Sequence, residues 1–270
     1  MKVRRSLAVA ATAAVAVGVS ALGPTPASAQ ETSGAAVEYV ALGDSYSAGV
    51  GAGGYDSASG DCKRSAAAYP ELWAEANAPA SFDFTACFAA RTTDVIDSQL
   101  GPLDADTTLV TLSVGGNDIG FADTMETCVL QGTSACLSAV AAADSAVTDT
   151  LPGRLDTVYD AIRAEAPAAR VVVFGYPRLY ELGGSCSTGL SEESRAALND
   201  ASDHLNDVTA QRAADHGFTY ADVRPTFTGH EICSGDEWLH SVNWLSPSES
   251  YHPTAEGQSG GYYPVLADLV

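Results

Sequence analysis

Short apolar, β-prone runs recur along the chain at Val37 to Leu42, Ser81 to Thr85, Thr108 to Val114, Arg170 to Gly175 and Phe218 to Val223. Between them lie longer segments whose apolar residues recur at helical spacing. These predict helices over Tyr69 to Asn77, Thr92 to Leu100, Leu137 to Ala166 with a break at Pro152, Ser191 to His216 and Thr254 to Leu269. Near-continuous apolar strands alternating with helices describe βαβ units around a sheet buried on both faces. The predicted class is α/β, a three-layer α/β/α sandwich with a central, mostly parallel sheet. No internal repeat, Pro-rich linker or second zone of composition interrupts the pattern, so residues 30 to 270 read as one domain.

The first residues follow a different pattern. Lys2, Arg4 and Arg5 precede an apolar stretch from Leu7 to Val19 and a small-residue site at Ala27-Ser28-Ala29. This is the layout of an export signal over residues 1 to 29, and Arg4-Arg5 hints at twin-arginine export. The apolar stretch is short for a membrane span, and a soluble, secreted, extracellular product is expected. The formal charge is -21, and a chain without its three leader cations is more acidic still. Such a field repels phosphate backbones, which argues against a nucleic-acid partner.

An even set of six cysteines, Cys62, Cys87, Cys128, Cys136, Cys186 and Cys233, reads as three disulfides in an exported chain. About 15 connectivities are open on spacing alone. Pairing of sequence neighbours is favoured: Cys62 with Cys87, Cys128 with Cys136, Cys186 with Cys233. No metal site is indicated. There is no Cys-x-x-Cys pair, and His230-Glu231 is followed by Ser234 where a zinc protease would carry its second His. No cofactor is expected either: Gly49-Val50-Gly51-Ala52-Gly53-Gly54 imitates a dinucleotide fingerprint but leads into polar residues instead of a helix, and reads as a flexible loop.

The candidate chemistry lies just past strand ends, where open α/β sheets bind ligands. Ser45 follows the first run in Gly43-Asp44-Ser45. Asn117 follows the third in Gly115-Gly116-Asn117-Asp118, and the last loop carries Tyr251-His252-Pro253. A serine hydroxyl needs a base, and imidazole, with an ordinary pKa of about 6.5, is suited to remove its proton near neutrality. Alone, each residue has a plainer role in a turn or surface loop; together they make Ser45 a nucleophile and His252 its base. The Gly-x-Ser-x-Gly pattern fails because Ser47 holds its last position.

These three blocks, in this order and at these wide separations, resemble those of the SGNH (GDSL-type) hydrolases, and over the whole mature chain the sequence resembles secreted actinobacterial lipases and phospholipases of that family. The resemblance implies the flavodoxin-like SGNH fold. It also implies a nucleophile at Ser45, a base at His252, and oxyanion donors from the backbone N-H groups of Ser45 and Ala89 and the side chain of Asn117. Two positions depart from the family pattern. Ala89 stands where Gly is usual, and Glu249 stands where the family's Asp precedes the histidine. The imidazole's second partner is therefore either Glu249 or the Ser250 backbone carbonyl; the resemblance favours Ser250.

The activity implied is release of fatty acyl chains from glycerolipids or phospholipids (lipase or sn-1 phospholipase A), by a monomer in transient contact with lipid aggregates. The alternatives are a carbohydrate acetylesterase and a non-catalytic, disulfide-stapled binding protein. Trp73, Trp238 and Trp244 read as core or rim aromatics, the last two placed to wall an acyl site.

Overall fold

The computed structural model describes residues 8–14 and 36–270. Residues 8–14 carry no regular secondary structure, and the remainder of the proposed leader, including its cleavage site, lies outside the described residues. No helix among the described residues is long and apolar enough to cross a membrane.

Five strands form one parallel sheet: β1 (Glu38–Ala41), β2 (Ser81–Phe84), β3 (Leu109–Leu112), β4 (Arg170–Phe174) and β5 (Thr219–Ala221), in the order β2-β1-β3-β4-β5. The central strands are buried because both faces are covered. All four residues of β3 and the last four of β4 are inaccessible, while edge strand β2 alternates exposed Ser81 and Asp83 with half-buried Phe82 and Phe84.

The helices are α1 (Ser45–Ala48), α2 (Tyr69–Asn77), α3 (Thr92–Ser98), α4 (Phe121–Gln131), α5 (Thr133–Asp149), α6 (Leu151–Glu165), α7 (Glu192–Asp215), α8 (Arg224–Phe227) and α9 (Tyr263–Leu269). Helix α2 packs on α9; α6 packs on both α3 and α7, with α5 on α7 and α4 on α5. In α6 the stripe Leu151, Leu155, Val158, Tyr159 and Ile162 is fully buried. Each such aliphatic side chain stabilises the packed state by roughly 1.5–3 kcal/mol, so Leu155→Asp would detach this layer.

All five strands are those read from the sequence, though shorter, and the class is the three-layer α/β/α sandwich expected. Several boundaries differ. The segment read as one broken helix, Leu137 to Ala166, begins earlier and divides at Thr150: Leu151 and Pro152 start α6, where proline's missing N-H costs nothing. The C-terminal segment is helical without a break from Ala255 to Leu269, as expected, but its middle, Gly257–Tyr262, is a π turn leading into α9. Helix α4 was not anticipated, although Phe121, Met125, Cys128 and Val129 recur at helical spacing. Disulfides join Cys62 to Cys87, Cys128 to Cys136 and Cys186 to Cys233; the second staples α4 to α5.

Candidate active site

In the order β2-β1-β3-β4-β5 the chain direction across the sheet reverses between β1 and β3, and a crevice opens beyond their carboxyl ends. The segment after β1 turns sharply at Gly43, whose φ of 122° suits glycine; a Cβ there would stand 2.5 Å from the Ser113 carbonyl. Asp44 caps α1 by accepting from the Tyr46 N-H, and Ser45 is the first residue of that helix. The turn is held from below by Gln99, whose side chain accepts from Gly43 N at 2.7 Å and donates to Gly43 O at 2.9 Å.

His252 arrives from the far end of the chain, 207 residues away, with Nε2 2.7 Å from Ser45 Oγ. Its Nδ1 lies 3.0 Å from the Ser250 carbonyl oxygen. A carbonyl can only accept, so Nδ1 carries the proton and Nε2 presents a lone pair to the serine hydroxyl. Burial pushes the imidazole pKa down to about 4; His240 and Lys63 act in the same direction, and the bond to Ser250 opposes them. The ring is therefore neutral at pH 7 and able to accept a proton. Of the two candidates for holding Nδ1, it is the Ser250 carbonyl that reaches it. The Glu249 carboxylate is engaged elsewhere, accepting from Tyr55 Oη at 2.9 Å and facing Asn243 Nδ2 at 3.5 Å.

The three proposed oxyanion donors come from the ends of three adjacent strands. Neither the Ser45 nor the Ala89 backbone N-H bonds an acceptor within the protein among the described residues. Asn117 uses one amide hydrogen to bond Ala90 O at 3.0 Å, which fixes the side chain's orientation and leaves the second hydrogen for the crevice it lines. Ala89 has φ 62°, a left-handed conformation that favours glycine, which accounts for the family's preference there and makes the alanine a strained substitute. Beside it, Asp118 accepts from Thr92 N and Oγ1 and ties the Asn117 turn to the start of α3.

Asp44, which the sequence marks only as part of the Gly43-Asp44-Ser45 block, is a fully enclosed charge of the site. Its carboxylate accepts from Ser113 Oγ at 2.7 Å and Tyr176 Oη at 2.6 Å as well as from Tyr46 N. Burial raises its pKa to about 6 against the lowering effect of these bonds, so it is ionised at neutral pH, next in sequence to Ser45. Its place at a helix N-cap was a usable signal; nothing local marks Ser113 or Tyr176 as its partners. The glycine-rich loop is not free: Gly51 O accepts from His240 Nε2 at 2.8 Å, and a Cβ at Gly51 would stand 3.0 Å from the His252 Cβ.

Ser45, Asn117 and His252 open onto a cavity of about 460 Å³ that runs beneath α4, α5 and α7 and is walled by Phe121, Met125, Val129, Val140, Leu198 and Leu205. Trp244 lines its mouth, 70% exposed, with Leu130 at 60% and neighbouring Leu245 at 96%. Trp73 sits in the core against Tyr39, and Trp238 stacks on His230 away from the cavity, so of the two tryptophans expected at an acyl site only Trp244 is there.

The profile of the GDSL-like Lipase/Acylhydrolase family matches residues 41–259, which contain Ser45, Ala89, Asn117 and His252. The chain is 63% identical to Lipase 1 of Streptomyces coelicolor over 261 residues, 97% of this chain and 94% of that one. It superposes on the crystal structure of phospholipase A1 from Streptomyces albidoflavus with a TM-score of 0.86 at 61% identity, covering 87% of this chain and 100% of the other. The extracellular lipase of Streptomyces rimosus gives 0.85 at 62% identity, with the same coverage. The chain belongs to the GDSL-like Lipase/Acylhydrolase family.

Proposed function

We propose that this protein is a secreted serine ester hydrolase that releases fatty acyl chains from glycerolipids or phospholipids, with residues 1–29 as its export signal and 30–270 as one catalytic domain. The observation that carries the reading is a serine hydroxyl 2.7 Å from a neutral, tautomer-locked imidazole at the mouth of a deep apolar cavity. Ser45 Oγ attacks the ester carbonyl while His252 Nε2 takes its proton. The developing oxyanion meets the N-H groups of Ser45 and Ala89 and the Asn117 amide. Nε2-H then protonates the leaving alcohol, and a water molecule, deprotonated by the same nitrogen, releases the acid and regenerates the hydroxyl. The buried imidazolium, disfavoured on its own, forms only beside the negative oxyanion.

Three observations support a lipid acyl group. The cavity is walled by hydrocarbon and lies within the size range of pockets that enclose whole small ligands. The exposed apolar residues Leu130 and Trp244 line the cavity, and Leu245, exposed as well, follows Trp244 in the chain, an apolar surface of the kind that transient docking on a lipid aggregate requires. The relatives named above are lipases and a phospholipase A1. A panel of esters varied in chain length and headgroup, run on wild type beside Ser45→Ala, tests the proposal. Medium to long acyl chains are preferred, and Ser45→Ala is inactive and resists organophosphonate labelling. A preference for acetylated sugars would overturn the lipid assignment, and labelling of Ser45→Ala equal to wild type would overturn the nucleophile.

A further inference from the structure

We propose that Tyr46 is a positioning residue that sets the distance between nucleophile and base, its backbone carrying Ser45 and its hydroxyl holding the loop that carries His252. The inference rests on the Ser45 and His252 roles proposed above. Tyr46 Oη donates to the Tyr251 carbonyl oxygen at 2.6 Å, across 205 residues of sequence. The other end of the strut is fixed: Tyr46 N donates to Asp44, and Tyr46 O accepts from Gln258 Nε2 at 3.0 Å. Its ring is 5% exposed, wedged between Tyr176, edge-on at 5.0 Å, and the His252 imidazole at 5.2 Å.

The Tyr251 carbonyl matters because of what the neighbouring carbonyl does. For Ser250 O to reach Nδ1 of a residue only two positions later, the intervening residue must turn out of the extended conformation. Tyr251 has φ 64°, a left-handed backbone that a bulky L residue rarely adopts. The turn sends its own carbonyl into the interior, where Tyr46 Oη is its hydrogen-bond partner; its N-H is taken by His240 O at 2.9 Å. Without that hydroxyl the buried carbonyl is orphaned, and the segment gains by relaxing towards a conformation in which Ser250 no longer orients the ring. Burial and the nearby Asp44 charge hold the phenol's pKa far above its ordinary value, so Tyr46 remains a donor at every pH of interest.

Tyr46→Phe keeps the ring and its packing, so the fold is retained. The control is Tyr180→Phe, which removes another buried hydroxyl directed at Tyr251, the bond to its phenol at 3.2 Å, without touching its backbone. Both variants are assayed with a soluble p-nitrophenyl ester, by thermal unfolding, and by the downfield proton resonance of His252 Nδ1-H. Tyr46→Phe is expected to lose on the order of ten- to a hundredfold in kcat with KM nearly unchanged, because a small displacement of a reacting group costs rate steeply. Its Nδ1-H resonance shifts or broadens. Tyr180→Phe loses comparable thermal stability and retains kcat and the resonance. Wild-type kcat in Tyr46→Phe, or an equal fall in both variants, would overturn the proposal. Ser45→Ala in the same assay separates the two ideas: activity there removes the reading on which this one rests, whereas its inactivity beside a fully active Tyr46→Phe removes only the role of Tyr46.

Discussion

Replacing Glu249 by alanine distinguishes a backbone-oriented base from a triad with an acidic third member. In serine hydrolases whose imidazole depends on a carboxylate, loss of that group drops kcat by about 10⁴. Here the single hydrogen on His252 Nδ1 is taken by the Ser250 carbonyl at 3.0 Å. The Glu249 carboxylate instead bonds Tyr55 Oη at 2.9 Å, which in turn accepts from the Gly51 N-H at 2.9 Å. The mutation therefore removes one half-buried hydrogen bond to a charged acceptor, worth roughly 1–2 kcal/mol of stability, or a drop of roughly 2–8 °C in Tm for a domain of this size. Through Tyr55 it loosens the loop beside His252, which costs about threefold in rate at most, under 1 kcal/mol of barrier. The assay is kcat/KM on a soluble ester with thermal unfolding of wild type, Glu249→Ala and Ser45→Ala side by side. A fall of a thousandfold or more in Glu249→Ala, with its fold intact, would show that the carboxylate acts on the imidazole and that the Ser250 carbonyl does not suffice.

Other consequences are as concrete. Asn117→Ala removes one donor from the developing oxyanion and should lower kcat by about 10²–10³ with a folded, labelable Ser45; normal turnover would exclude the residue from the oxyanion hole. Ala89→Gly relieves a left-handed alanine, whose strain of roughly 1–2 kcal/mol offsets the roughly 0.5–1 kcal/mol that glycine's unfolded-state freedom costs. Chemical unfolding should find it no less stable than wild type, and a loss above about 1 kcal/mol would contradict the strain argument. Because His252 must be neutral to act and its pKa is pushed down to about 4, its protonation should lower kcat/KM tenfold per unit only below about 4; a tenfold-per-unit fall that already begins near 6.5 would contradict this. The same depression means that the unfolded chain binds the proton first. The stabilising contribution of the neutral ring is complete above about 6.5 and declines, by up to roughly 3 kcal/mol, as pH falls towards 4. Denaturant titrations of wild type and His252→Gln at pH 7 and pH 4.5 should show the excess acid loss in wild type alone.

The five strands, their parallel arrangement and the strand-end positions of Ser45 and Asn117 were legible in the sequence, because strand propensity, helical spacing and the block after β1 are local properties. Helix α4 carries its own periodic signal in Phe121, Met125, Cys128 and Val129. The pairing of Ser45 with His252 follows from the need of a serine hydroxyl for a base and is supported by the family's block order; its 2.7 Å approach is a product of folding, since the two lie 207 residues apart and meet only when the last loop packs over the crevice between β1 and β3. The choice of Ser250 over Glu249 could not be read from residue types at all. Every residue has a carbonyl, and which one faces Nδ1 depends on the left-handed turn at Tyr251. Likewise the partners of Asp44, Ser113 and Tyr176, are supplied by the segments just after β3 and β4, and the cavity is enclosed only where α4, α5 and α7 come together. Side-chain chemistry is written residue by residue, whereas the direction of a backbone group and the closure of a cavity belong to dihedral angles and long-range packing, which exist only in the folded chain.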